Sequence, residues 1–381
     1  MAETMLAVRK ARPERGLQVQ EVPRPTIGPD EVLVQVEAAS ICGTDLHIYK
    51  WDEWSQRRIK PPLTLGHEFA GTVVEVGDKV QHAHVGDFVS AESHVTCGMC
   101  FQCRTGQAHM CPKTQILGVD RDGAFAHYVA VPEKVIWQND RRKLPPEIAT
   151  LQEPFGNAVY ATLFQEVTGQ SVAVMGCGPI GLFSIGIAKA SGATFIYACD
   201  VNDFRLDLAK QMGASAVFNV SKPGPDGKPL DVVQALVAAN EGYGIDLILE
   251  MSGAPSAITT GFRAVRNGGT VVLFGIPSKP VEIDVAENMI FKNLTVRALN
   301  GRRIFDTWYK TRWLLEHGVV DLRPLVTRTI TFDEIDLAME LLASGQACKL
   351  VLKPDQQKSP RVPESQPRTE DPGIKGTVVH R

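Results

Sequence analysis

No charge of either sign dominates this 381-residue chain: 40 Lys and Arg stand against 43 Asp and Glu, a formal net charge of −3. That balance implies neither a nucleic-acid partner nor an anionic membrane surface. Met1 to Lys10 has no apolar run of the kind a secretory leader needs, so a cytoplasmic protein is expected. The long stretch without charge, Val167 to Ala188, is interrupted by Gly176-Cys177-Gly178-Pro179. A spanning helix is therefore not expected there; strand, turn and helix fit better. Internal repeats are lacking too. With no export signal, the eight cysteines are not expected to form a disulfide framework, and a metal site becomes the default reading.

What is present is ordinary globular composition, 44% hydrophobic and 22% charged, at a length that suggests two domains with a core each. From Met1 to about Gly156 the chain is rich in Gly, Pro and short valine-bearing runs such as Val32-Leu33-Val34-Gln35-Val36 and Thr72-Val73-Val74-Glu75-Val76. These predict a β-rich domain without sustained helical period. From about Asn157 to Arg297 the pattern becomes alternating strand and helix. Strands are expected over 171–175, 194–199, 217–220, 245–249 and 270–274, with helices over 179–190, 204–212 and 230–239. Such alternation predicts a doubly wound parallel sheet covered on both faces. A further piece, 298–353, holds a helix around Trp308, strands near 328–331 and 349–352, and a helix over 333–343. After it, residues 354–381 contain five prolines, mixed charge and no aromatic residue, the composition of a disordered tail.

Gly176-Cys177-Gly178-Pro179-Ile180-Gly181 is a G-x-G-x-x-G between an expected strand and an expected helix. Its glycines allow a tight turn, close approach to a pyrophosphate, and packing of helix on strand. The helix N-terminus adds free N–H groups and positive dipole. Asp200, twenty-four residues after Gly176, stands where a carboxylate binds adenosine ribose hydroxyls and repels a 2′-phosphate, which favours NAD. Arg205 leans the other way, since it could pair with that phosphate.

Four cysteines fall within fifteen residues, as Cys97-x2-Cys100-x2-Cys103-x7-Cys111. Such spacing lets four thiolates converge on one tetrahedral zinc, and an all-sulfur set makes that site closed and structural. A ferredoxin-type run would place three residues, not seven, before its last Cys-Pro. A reactive metal needs an open position and different ligands. The candidates are Cys42, His67, Glu68 and Glu153, none compelling singly, because a cysteine or histidine is often merely buried.

Gly66-His67-Glu68-x2-Gly71-x5-Gly77-x2-Val80, followed by Gly86-Asp87-x-Val89, resembles the signature of the zinc-containing medium-chain alcohol dehydrogenases. With Cys42, the cysteine lobe and the glycine motif, the resemblance covers about residues 5 to 353. It implies a GroES-like β-rich catalytic domain, 1–156 and 298–353, with a Rossmann NAD-binding domain, 157–297, inserted. Cys42, His67 and Glu68 match the catalytic zinc ligands, and Glu153 an acid beside them that binds zinc directly or through water. Thr44 and His47 match a proton relay. Ile180, Asp200, Arg205, Phe274, Gly275, Ile276, Leu299 and Asn300 fall where the family contacts NAD. Two zinc ions per subunit and a homotetramer are implied. The segments Cys42 to Tyr49, Glu153 to Ala158 and Gly301 to Lys310 resemble the branch that oxidises the C3 hydroxyl of L-threonine; a sorbitol-type polyol branch is the alternative. In the threonine reading His94 lines the substrate pocket, and Arg302 or Arg303 could pair with the substrate carboxylate.

Overall fold

The computed structural model describes residues 3–224 and 227–354. The ten-residue strand Glu31–Ser40 buries Val32, Val34 and Val36 and is the spine of a seven-stranded sheet. Glu68–Val76 pairs with it antiparallel along its whole length, with Ser40 opposite Glu68. Phe88–Ala91 and Ile136–Gln138 extend that side, and Tyr128–Pro132 pairs with the first half of the spine. On the other side Lys349–Leu352 pairs with the end of the spine, and Val326–Ile330 lies parallel beyond it. The final folded piece thus returns to the first sheet, which pattern alone could not establish. A three-stranded sheet, Gln18–Pro23, Thr4–Lys10 and Leu63–Thr64, closes over this core.

Helices do occur in this region, although the sequence shows no sustained helical period there. Gly43–Lys50 and Glu53–Arg58 are too short to show a full amphipathic period, and Gln152–Thr162 is buried on most sides rather than on one stripe. Gln152–Thr162 leads into the second region, where Phe155 packs on Phe183 with ring centroids 5.5 Å apart.

The second region is a six-stranded, all-parallel sheet. Across it run Ala216–Asn219, Phe195–Asp200, Ser171–Met175, Ile245–Glu250, Val265–Leu273 and Thr295–Ala298, which is chain order 3-2-1-4-5-6. Ser171–Met175 is buried throughout: Val172 and Val174 face one core, Ala173 and Met175 the other. This is why it reads as a continuous apolar run. The order reverses between Ser171–Met175 and Ile245–Glu250, and a doubly wound sheet binds its ligand beyond the carboxyl ends at such a point. Val167 to Ala188 is strand, turn and helix, and among the described residues no helix is long and apolar enough to cross a membrane. Residues 355–381, the bulk of the expected tail, lie outside the described residues.

Candidate functional site

The register Ser40 opposite Glu68 sets the end of one strand beside the start of its neighbour. Cys42 follows the first strand, and His67 and Glu68 open the second. One ligand atom from each of the three lies within 4.8 Å of the others. His67 and Glu68 are buried and Cys42 half-buried. Oε2 of Glu68 accepts from Ser40 Oγ and from Nζ of the buried Lys349, which also donates to Ile41 O at 3.0 Å. Oε1 of Glu68 is buried without a hydrogen-bond partner, while Nδ1 of His67 faces Asp45 Oδ1 at 3.9 Å. An unsatisfied buried carboxylate oxygen beside a thiol and an imidazole is costly alone and suited to a divalent cation. Burial pulls His67 down, but Asp45, Cys42 and Glu153 outweigh it and raise it well above its usual range. Asp45, fully buried, is pushed up to about 6 by desolvation.

Cys42 is also the N-cap of the helix Gly43–Lys50. Thr44 Oγ1 stands 3.8 Å from Cys42 Sγ, and His47, three residues on, shares its helix face. Thr44 is half-buried and His47 exposed, so the helix runs from the trio toward solvent.

Beside the trio lies a charged cluster that gathers His94, Glu153 and Arg302, all singled out in the sequence, around Glu92, which was not. Glu92, fully buried after the strand Phe88–Ala91, accepts from Arg302 Nε at 2.8 Å, from Trp308 Nε1 at 2.8 Å and from the His94 backbone N–H at 2.9 Å. His94 Nδ1 sits 3.0 Å from the same carboxylate. Arg302 also reaches Glu153 Oε1 at 2.6 Å, and Ser93 Oγ donates to that oxygen at 2.5 Å. Desolvation opposes the charge on Glu92, but Arg302 and His94 overcome it and hold the carboxyl well below its usual range. Arg302 is therefore saturated by protein carboxylates and is not the free partner for a substrate carboxylate that the sequence allowed. Arg303 is exposed. Glu92 gave no sequence signal, because Arg302 and Trp308, which hold its charge, lie 210 and 216 residues away.

Cys97, Cys100, Cys103 and Cys111 converge on a surface lobe, each with one sulfur within 4.8 Å of the rest. Cys100 and Cys103 sulfurs are 3.4 Å apart, Cys111 and Cys97 sulfurs 3.6 Å. These are not disulfides. They approach the S···S spacing of about 3.8 Å that four 2.3 Å bonds to one tetrahedral ion require.

At the glycine motif, Gly176 adopts φ +101 and turns the chain out of its strand. A Cβ on Gly181 would lie 2.0 Å from Gly176 O, whereas one on Gly178 meets only open space, the side a ligand approaches. Pro179 opens the helix Pro179–Ala190 with Gly178 as its N-cap, and Ile180 follows half-buried. Asp200 ends the next strand, and its oxygens accept from Cys177 N at 2.7 Å and Asn202 N at 2.9 Å, which leaves lone pairs for a ribose. Arg205 is 4.0 Å from Asp200. Phe274, Gly275 and Leu299 are half-buried at the carboxyl ends of the fifth and sixth strands, while Ile276 and Asn300 are exposed there. Glu250, raised by burial, holds the Ser252–Gly253 turn through their N–H groups.

This fold and these two ligand sets define a class. Residues 28–141 match the alcohol dehydrogenase GroES-like domain, and 179–316 match the zinc-binding dehydrogenase region. The chain belongs to the zinc-binding, medium-chain alcohol dehydrogenase family. Within it, the chain is 51% identical to L-threonine 3-dehydrogenase of Symbiobacterium thermophilum, over 93% of this chain and 99% of that protein. It is 47% identical to L-threonine 3-dehydrogenase of Caldanaerobacter subterraneus, over 92% and 99%. Among solved structures, a zinc-binding dehydrogenase from Sinorhizobium meliloti bound to NADP superposes with TM-score 0.84 at 30% identity, covering 92% of this chain and all of the other.

Proposed function

We propose that the protein oxidises the C3 hydroxyl of L-threonine to 2-amino-3-oxobutanoate with NAD as acceptor. The observation that carries this reading is 51% identity, nearly end to end, to a protein named for that reaction. Cys42, His67 and Glu68 would hold a catalytic zinc with room for substrate, and Cys97, Cys100, Cys103 and Cys111 a closed structural one. Bound zinc supplies Lewis acidity toward a hydroxyl, and bound nicotinamide supplies the redox chemistry. The substrate proton would leave through Thr44, whose hydroxyl gives up its own proton as it takes one, and a cofactor ribose hydroxyl to His47, at the solvent end of the same helix. Glu153, held by Ser93 and Arg302, borders the reacting centre as the second acid. His94, tied through Nδ1 to Glu92, offers its other nitrogen to the substrate ammonium. Gly176, Gly178, Ile180 and Gly181 approach the pyrophosphate. Asp200 and Arg205 flank the adenosine ribose, and Phe274, Gly275, Ile276, Leu299 and Asn300 the nicotinamide half. The related fold accommodates NADP elsewhere, so Asp200 is what selects NAD here.

The division into 1–156 with 298–353, and 157–297, is part of this proposal. So is association into homotetramers: the edge strand Thr295–Ala298 is open, and Ile276, Val285, Ile290 and Phe291 are exposed around that end. Eight unpaired cysteines suit a reducing cytoplasm. The test is kcat/KM with NAD for L-threonine, sorbitol, xylitol, butanediol and ethanol. Threonine should lead sorbitol by at least about tenfold, since a site built for an ammonium and a carboxylate leaves them unpaired with a polyol. Sorbitol leading threonine would move the protein to the polyol branch.

A further inference from the structure

The exposed histidine at the end of the proposed proton path has a partner that no motif marks. His47 Nδ1 is in close contact with Oδ2 of Asp52, and the His47 ring stands edge-on to Trp54 with centroids 6.3 Å apart. The other oxygen of Asp52, Oδ1, accepts from Ser55 N and Ser55 Oγ, each at 3.0 Å, and so caps the helix Glu53–Arg58. The two carboxylate oxygens therefore have separate duties. Asp52 reaches back to His47 because Trp51 adopts a left-handed conformation, φ 56, that ends the helix Gly43–Lys50. A bulky residue is rarely found there. The turn is held by the Trp51 N–H, which donates to His47 O at 3.0 Å, and by the buried Lys10, whose Nζ lies 5.2 Å from the centre of the Trp51 ring.

A carboxylate only accepts, so Nδ1 of His47 carries the hydrogen and Nε2 carries the lone pair. We propose that Asp52 is a positioning residue of the proton relay: it fixes His47 as the Nδ1–H tautomer, with Nε2 as the proton acceptor. The proton that leaves the substrate hydroxyl by way of Thr44 binds Nε2, and the imidazolium so formed is stabilised by the Asp52 charge. The proton then passes from Nε2 to water, and the starting tautomer returns. This rests on the relay assigned above to Thr44 and His47.

Asp52→Asn separates the two duties. Its Oδ1 still caps Ser55, as asparagine does well, but an NH2 group now faces Nδ1 and favours the Nε2–H tautomer, which cannot accept. The same logic underlies the wrong-tautomer loss in serine proteases, larger there because the histidine is buried. For exposed His47 we expect kcat to fall about tenfold, with KM for threonine and NAD changed by less than about twofold and melting unchanged. Nitrogen-15 spectra of histidine-labelled protein, without substrate, should show His47 moving from Nδ1–H to Nε2–H. Asp52→Glu should recover part of the rate. If Asp52→Asn does not fold, Asp52→Ser keeps the cap, removes the partner, and should show the rate loss together with loss of the fixed Nδ1–H form. His47→Gln is the control. If it slows turnover while Asp52→Asn keeps both the wild-type tautomer and the wild-type rate, the role of Asp52 is overturned and the relay stands. If His47→Gln turns over like wild type, both fall.

Discussion

The two cysteine-bearing clusters differ in how the chain assembles them. The lobe of Cys97, Cys100, Cys103 and Cys111 is built within fifteen residues, around one four-residue helix and a 3-10 turn, with little apolar packing of its own. The trio of Cys42, His67 and Glu68 is built by a long sheet register, and Glu68 is steadied by Lys349, 281 residues away. A local site with no core needs its ion to fold; a site set by a sheet is formed before the ion arrives. On the proposed reading, the first therefore belongs to stability and the second to chemistry.

The largest effects follow from that contrast. Cys42→Ser should lower kcat by roughly a thousandfold or more, through loss of Lewis acidity, with the melting midpoint nearly unchanged. Cys100→Ser should instead lower stability, on the order of 3 kcal/mol, a fraction of what a closed zinc site contributes. Zinc per chain, melting and turnover on both variants decide it, and equal melting with equal loss of activity would erase the distinction.

The same contrast explains what the sequence disclosed. The lobe and the glycine motif were legible because their parts are near neighbours with fixed spacing. Most strands and helices of the parallel sheet were legible too, since burial on both faces gives unbroken apolar runs such as Ser171–Met175. The trio was legible only through resemblance, because Cys42 and His67 meet by a pairing that no local pattern encodes. Glu92 and Arg302 were less accessible still: nothing marked the first, the second offered itself to a substrate carboxylate, and their burial against each other accounts for both. The helix Gly43–Lys50 was missed because two turns cannot display a period.

That buried cluster gives the next test. Arg302 is 2% exposed and bridges Glu92 and Glu153. Arg302→Met should destabilise by about 3 kcal/mol near neutral pH, because it leaves buried carboxylates without a counter-charge. The sign with pH is definite. In the wild type the depressed Glu92 carboxyl contributes stability above the ordinary glutamate range, and this is lost as pH falls through its lower folded value. Without Arg302, burial is opposed only by His94 and Trp308, so that carboxyl rises from its wild-type value and protonation relieves the variant. Its deficit in melting midpoint should shrink between pH 7 and 5, and a deficit that grows would show the arginine to be mere packing.

The smallest effect expected lies in the other half of the molecule, where the site is held by backbone rather than by charge. Asp200 is 7% exposed and accepts the N–H groups of Cys177 and Asn202, one on each oxygen. It thus fixes the glycine turn and, on the proposed reading, also presents negative charge where a 2′-phosphate would sit. Asp200→Ser removes the repulsion, keeps a hydroxyl within reach of one backbone N–H, and leaves Arg205, now 4.0 Å from Asp200, free to meet a phosphate. The preference for NAD over NADP in kcat/KM should narrow by about tenfold, some 1.4 kcal/mol, mostly through KM for NADP. Because two backbone N–H groups lose their carboxylate, KM for NAD should rise as well, and the turn should loosen without global unfolding. Equal efficiency with both cofactors in the unmutated protein would remove Asp200 as the selector and point to Arg205 as a partner for the 2′-phosphate that offsets it.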